Sequence, residues 1–453
     1  MVEQADVIVL GMGPGGEHVA GRLAEEGLDV VGVEGGLLGG ECPYWGCVPS
    51  KMMLRAAGLL ADARRVPGIA GSVAVTADWA PVAKRIRTEA TDNWDDRVAV
   101  ERFESKGGRF VRGYGRLTGP GTVAVSGREI QASRGVVINT GTKPWAPPIP
   151  GLDEVAYWTN HEAIEATEVP SSLVVLGGGT IGVELGQVFS RFGSAVTVVE
   201  VGPRLLPLEE PESGQLLKEV LEAEGVRIVT GAEVSSVRRG GDAIALELAT
   251  GESIEGSRLL VATGRRADLA SIGIASVGLD ERARFIPVDN MCRAAPGLWA
   301  IGDITGVGAF THVSMYQAGI ALADILGEPT APAEYRGLPR VTFTDPEIGS
   351  VGLSEEAAKK AGLRLRVGHA DLASSARGWI QKVDNAGFIK LVEDADRAVL
   401  VGATSAGPCG GEVLSMLTLA VHAEVPTTQL STMIYAYPTF HRAVEVAVKD
   451  LSA

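Results

Sequence analysis

Two segments of this chain repeat one pattern, and few folds satisfy both. Residues 6–10 (Asp-Val-Ile-Val-Leu) form an apolar, β-branched run that breaks into Gly11-Met12-Gly13-Pro14-Gly15-Gly16, after which residues 17–26 have the spacing of an amphipathic helix. A second apolar run over residues 29–33 ends on Glu34. Far downstream, residues 172–176 lead into Gly177-Gly178-Gly179-Thr180-Ile181-Gly182, a helical stretch continues through Phe192, and residues 195–199 end on Glu200. In both copies the acid lies twenty-three residues after the first glycine. Strand, glycine turn, helix, strand and acid make the dinucleotide fingerprint: bare backbone lets a pyrophosphate reach helix-terminal amides, and the distal carboxylate accepts from a ribose hydroxyl. A chain with 59 glycines would contain one such turn by chance, but two in full context predict two dinucleotide sites.

The other segments organise around these units. Residues 136–142 and 259–265 are similar strands that close on Thr-Gly, at Gly141 and Gly264, and residues 298–303 form a buried strand ending in Gly302-Asp303. A proline-rich run over 144–150 reads as a connector. From about Pro339 the texture changes to strands at 340–343, 387–392 and 399–403, then helices at 411–423 and 440–449. The predicted fold is α/β: a dinucleotide-binding domain (1–147 and 269–334) split by an inserted second one (148–268), followed by a separate C-terminal α+β domain (335–453), which the resemblance named below implies are the FAD-binding, NAD(P)-binding and dimerisation domains. With 453 residues the chain needs no staples, and a net charge of −15 argues against a nucleic-acid partner. No apolar run approaches a membrane span and the N-terminus lacks a basic signal region, so the expected location is cytoplasmic.

Half of the four cysteines lie in Gly39-Gly40-Glu41-Cys42-Pro43-Tyr44-Trp45-Gly46-Cys47-Val48-Pro49-Ser50-Lys51, before a helix expected from about Pro49 to Arg65. A helix N-terminus carries partial positive charge and stabilises a thiolate. A metal site would need further Cys or His at finger-like spacing, and none of the six histidines is placed to provide it. A buried inert pair is the other reading, but the surrounding glycine and proline favour a shaped turn. The pair is therefore read as a redox-active disulfide, and Cys292 and Cys409, isolated among small and apolar residues, as structural.

These motifs, with Glu184 in the second unit and the run Val341-Thr342-Phe343-Thr344-Asp345-Pro346-Glu347-Ile348-Gly349, resemble the pyridine nucleotide-disulfide oxidoreductases of the glutathione reductase, dihydrolipoamide dehydrogenase and mercuric reductase group, over essentially the whole length. The resemblance implies that Gly11, Gly13, Gly16 and Glu34 hold the FAD pyrophosphate and ribose and that Asp303 bonds the ribityl chain. It implies that Lys51 lies near the flavin and pairs with Glu184. Cys47 would be the thiol next to the flavin, in a charge-transfer state as thiolate, and Cys42 the interchange thiol facing substrate. Gly177, Gly179 and Gly182 would take the nicotinamide coenzyme. Glu200 favours NADH over NADPH because a carboxylate repels a 2′-phosphate; Arg204 nearby is read as a solvated loop charge.

One block departs from the group. Its C-terminal His-x-His-Pro-Thr-x-x-Glu, which supplies an acid/base histidine across a homodimer, reads here Tyr435-Ala436-Tyr437-Pro438-Thr439-Phe440-His441-Arg442. A tyrosine titrating near 10 donates a proton at neutral pH but is a poor base. Tyr437 is thus expected to serve a reducing direction, and dihydrolipoamide oxidation is expected to be inefficient. His441 is a second candidate proton carrier, and Arg442 either lowers the Tyr437 pKa, recruits an anion or forms a surface ion pair. The acceptor is read as a small disulfide, with a quinone or a soft metal such as Hg(II) as alternatives; the C-terminus, Asp450-Leu451-Ser452-Ala453, lacks the Cys pair with which mercuric reductases deliver their metal. A flavin-binding redox sensor that has lost turnover is the reading from another class. Tyr44 and Trp45 either line the substrate approach or pack under the flavin.

Overall fold

The computed structural model describes residues 2–241 and 243–452. They form two compact units, one comprising residues up to Pro49, Lys84–Trp145 and Gly264–Glu334, the other Ser50–Ala83, Ala146–Thr263 and the residues from Tyr335 onward.

In the first unit the strand Glu3–Leu10 runs parallel to Val30–Glu34 on one side and to Arg128–Ile138 on the other, in register Val7 with Val30 and Ile8 with Val136. Arg109–Arg112 extends the sheet beyond Val30–Glu34, and Leu298–Ala300 and Arg293–Ala295 extend it beyond Arg128–Ile138. Because successive side chains point to opposite faces, Ile8 and Leu10 enter one core with Val31, Val33 and Val136, while Val7 and Val9 enter another with Val30, Val137 and Phe103. Both faces of the sheet are covered, which is why the strands read as continuous apolar runs rather than as an alternation.

The second unit contains a parallel sheet in the order Arg227–Thr230, Ala195–Glu200, Ser172–Leu176, Arg258–Val261, and a separate antiparallel sheet in the order Pro339–Thr342, Glu347–Gly352, Val399–Gly407, Phe388–Asp394, Leu365–Asp371. The helices Gly410–His422 and Ala443–Asp450 bury Leu414, Leu417, Val444 and Ala447 against it. The expected last helix starts three residues late, because Phe440–Arg442 closes as a tighter 3₁₀ turn first. Likewise the strand expected over 387–392 is shifted to Phe388–Asp394. Among the described residues no helix is long and apolar enough to cross a membrane.

Candidate functional site

The two glycine turns have the same construction. Gly11, at φ 94°, passes so close to the strand beside it that a Cβ would fall 2.5 Å from the Asn139 carbonyl oxygen; Gly177, at φ 112°, stands in the same relation to Ala262, also at 2.5 Å. A Cβ on Gly16 would lie 2.1 Å from the Gly11 carbonyl oxygen, and one on Gly182 would lie 2.1 Å from that of Gly177. No side chain fits at these four positions, so each turn is held tight against its helix, Pro14–Glu25 or Thr180–Arg191, with Gly13 or Gly179 as N-cap. The distal acids are fixed alike. Glu34 accepts from the Met12 and Gly36 amides at 2.8 and 2.7 Å, and Glu200 from the Gly178 and Gly202 amides, both at 2.6 Å. Each carboxylate thereby clasps its own glycine turn. Arg204 is turned away onto the Pro207 carbonyl at 3.2 Å.

In the first unit the cysteine segment packs on the first of these turns. Gly40, at φ 68°, comes so near that a Cβ would meet the Gly13 Cα at 2.9 Å. The short helix Glu41–Tyr44 follows, and Gly46 lets the chain fold back, since a Cβ there would sit 3.0 Å from the Glu41 carbonyl oxygen. Cys47 is then the first residue of the helix Cys47–Arg65, which starts two residues earlier than expected and so puts the thiol at the positive end of a nineteen-residue helix. Cys42 and Cys47 are thiols within hydrogen-bonding reach of each other; that bond, and then burial, push the Cys42 thiol well above its ordinary value. Tyr44 is buried and its phenol is pushed up to about 12 by desolvation, while Trp45 is half-buried beside it, 5.8 Å between rings.

Asp303 stands in the 3₁₀ turn Gly302–Thr305, where Gly302 has φ 78°. Burial raises its carboxyl, and the Arg265 charge and the Thr142 hydroxyl, donating at 3.1 Å, oppose that. Arg265 donates to both the hydroxyl and the carbonyl of Thr142 and lies 3.5 Å from Glu41, so one chain of polar contacts joins Asp303 to the residue preceding Cys42. Gly141 and Gly264, at φ 63° and 118°, take conformations that favour glycine, with no crowding around them. Neither Thr142 nor Arg265 was singled out from the sequence. Their only signal is adjacency to the paired Thr-Gly closures.

In the second unit Lys51 donates to Glu184 at 2.8 Å; the other Glu184 oxygen accepts from the Phe343 amide at 2.7 Å, and the ammonium lies 4.7 Å over the Phe343 ring. Tyr437, also in this unit, is 66% exposed, and the Arg442 guanidinium stacks 5.0 Å from its ring while pairing with Glu445 at 3.1 Å. Arg442 therefore makes both a ring contact and a helix ion pair. Tyr435 is buried and donates to the Leu430 carbonyl at 3.0 Å, with His441 6.3 Å from its ring. Cys292 is fully buried, as a structural cysteine should be, but Cys409 is exposed at the cap of Gly410–His422. Cys409, read with Cys292 as structural, is not a core residue: the proline and glycines that flank it mark a loop.

The chain matches the pyridine nucleotide-disulphide oxidoreductase family over residues 5–318 and that family's dimerisation domain over 338–448. It is 33% identical to a dihydrolipoyl dehydrogenase of Chlorobaculum tepidum, covering 99% of this chain and 97% of the relative. It is 31% identical to a mercuric reductase of Bacillus cereus, covering 99% and 72%. Among solved structures it is similar to LpdA of Mycobacterium tuberculosis, with a TM-score of 0.86, 26% identity and all of both chains covered. It is also similar to a Cu(II) complex of RclA, an HOCl-induced flavoprotein disulfide reductase of Escherichia coli, with a TM-score of 0.84, 25% identity, and 97% and 98% covered.

Proposed function

The chain belongs to the pyridine nucleotide-disulphide oxidoreductase family, and within it we propose that it is an NADH-preferring reductase passing electrons through the Cys42/Cys47 pair to a small disulfide. The family binds FAD and uses NAD(P)H. Bound FAD supplies acceptance of a hydride and two-electron reduction of a disulfide. The observation that carries the reading is the pair of thiols in mutual reach on a loop packed against the first glycine turn.

In this reading the turn at Gly11, Gly13 and Gly16, with Glu34, holds FAD, joined by Asp303, Gly141, Gly264 and Gly302. The turn at Gly177, Gly179 and Gly182, with Glu200, holds NADH. Glu200 has both oxygens committed to backbone amides, and Arg204 is turned onto the Pro207 carbonyl, an arrangement that suits a ribose diol better than a 2′-phosphate. Lys51, anchored by Glu184, supplies positive charge. Once the pair is reduced, Cys42 attacks one substrate sulfur, forming a mixed disulfide and releasing the first thiol, which takes the proton Cys42 gave up. Cys47 thiolate then attacks Cys42, re-forming the intramolecular disulfide, and the second thiol takes its proton from solvent or from Tyr437. Tyrosine suits that donor role and not the reverse one. The working unit is a homodimer: Trp379, Ile434 and Tyr437 are 79%, 96% and 66% exposed within the stretch matched to the dimerisation domain.

Reduction of a soft metal ion by the same thiols is the second reading, favoured by the similarity to a mercuric reductase and to RclA. Cys42→Ser and Cys47→Ser, assayed with NADH on disulfides, quinones and Hg(II), separate the cases. Disulfide reduction falling at least about a thousand-fold in both variants, with parent activity on Hg(II) negligible, is the expected result. Disulfide turnover that survives either substitution overturns the reading.

A further inference from the structure

In the first unit a hydroxyl stands against the thiol pair. Thr311 is the first residue of the helix Thr311–Leu326, and its Oγ1 lies 3.4 Å from the Cys47 sulfur. The same hydroxyl also acts on Cys42 and lowers its thiol pKa, but by less than the bond to Cys47 and burial raise it, so Cys42 stays the harder of the two to ionise. When Cys47 carries a proton either group can donate, but a thiolate has none, so the hydroxyl must then be the donor. Thr311 is half-buried, and the flanking Phe310 and His312 rings stack 5.1 Å apart at 16°.

We propose that the Thr311 hydroxyl is the donor that holds Cys47 as a thiolate in the reduced enzyme, keeping the negative charge on Cys47 while Cys42 keeps the proton. This rests on Cys42/Cys47 being the redox pair. A hydrogen bond to a charged group is stronger than one to a neutral partner, so removing the hydroxyl favours the protonated sulfur. The elements that meet here also carry Glu41 and Cys42 on the short helix, Lys51 on the helix Cys47–Arg65, Arg265 paired with Glu41, and His312 after Thr311. All of these remain in a Thr311 variant, so a change in titration isolates the hydroxyl.

The test uses full-length, flavin-loaded enzyme reduced by two electrons without oxygen, comparing the parent with Thr311→Val and Thr311→Ser. The long-wavelength thiolate–flavin absorbance is followed against pH, and alkylation of Cys47 by iodoacetamide is resolved from that of Cys42 by peptide mass spectrometry. Thr311→Val is expected to move the midpoint up by about one pH unit, about ten-fold in the thiolate equilibrium. It should also slow Cys47 alkylation several-fold at pH 7, and Thr311→Ser should restore both. A Val variant that titrates with the parent overturns the inference while leaving the redox pair intact. A parent that shows no such absorbance at any pH overturns the functional reading and this inference with it. If Thr311→Val does not retain flavin, Thr311→Ala against Thr311→Ser makes the same comparison with a smaller side chain.

Discussion

Replacing Glu184 tests whether the charge beside the thiol helix is held by a buried anchor. Its carboxylate is 5% exposed and Lys51 is 35% exposed, and the two meet at 2.8 Å. At that distance the attraction is about 6 kcal/mol for an effective dielectric of 20, but burying the carboxylate offsets much of this, and the partly solvated ammonium screens more. A net loss of about 1 kcal/mol is therefore expected when only the charge is removed. Glu184→Gln does that: its amide oxygen still accepts from the Phe343 amide. Glu184→Leu also strands that buried N–H, which adds about 1–3 kcal/mol, for about 2–4 kcal/mol in all. At roughly 2 °C per kcal/mol for a unit of this size, the Leu variant should melt about 4–8 °C below the parent and the Gln variant about 2 °C below. Differential scanning calorimetry on flavin-loaded protein measures both. A Leu variant melting within 1 °C of the parent, or Gln costing as much as Leu, would refute the assignment of Glu184 as a two-armed anchor.

Other perturbations test other parts of the molecule. In the second unit Arg65 pairs with Asp345 at 2.7 Å and with Asp384 at 3.0 Å, and burial beside Asp345 pushes the Asp384 carboxyl up to about 7. An acid raised in the folded state binds a proton that the unfolded chain has lost. Its contribution to stability is therefore full below about pH 4 and disappears as the pH rises through about 7. Asp384→Asn should raise the melting temperature at pH 8 relative to the parent and leave it nearly unchanged at pH 4.5; an equal shift at both would contradict the titration. Glu200→Ala removes the clasp on Gly178 and Gly202, so the ratio of kcat/KM for NADH over NADPH should fall about ten-fold or more, and an unchanged ratio would show that specificity lies elsewhere. Tyr437→His with Arg442→Glu restores the acid/base pair this chain lacks, and dihydrolipoamide oxidation should rise on the order of a hundred-fold over the parent; parent turnover already matching the double variant would end the reducing-direction proposal.

How much the sequence revealed depended on range. The glycine turns were legible because their constraint is local: Gly16 and Gly182 each face a carbonyl only five residues back. The acids were legible from spacing, although their grip on the Met12 and Gly178 amides was not, since a hydrogen bond across the turn leaves no composition signal. The start of the thiol helix was misplaced because Pro49 looks like a first-turn residue, and it is one, with Cys47 two positions before it. Thr142, Arg265 and Thr311 were invisible for a different reason. They meet Asp303, Glu41 and Cys47 only after segments more than a hundred residues apart are brought together, and threonine and arginine are too common to stand out. Cys409 shows the opposite error, in which neighbours in sequence were taken for neighbours in space.

The contact of Gly40 with Gly13 restricts how this protein can diversify. The thiol loop and the nucleotide turn share a wall with no spare volume, so a change that reshapes one disturbs the other, and random variation in the loop should be lost as apoprotein before any new acceptor is tried. The stretch around Ile434 and Tyr437 is exposed in the single chain but lies in the dimerisation domain, so a change there is judged against the partner subunit instead of against the nucleotide turn. Tyr437, at the position where the resemblance leads one to expect histidine, falls in that stretch, and Cys42 and Cys47 lie far from it in sequence.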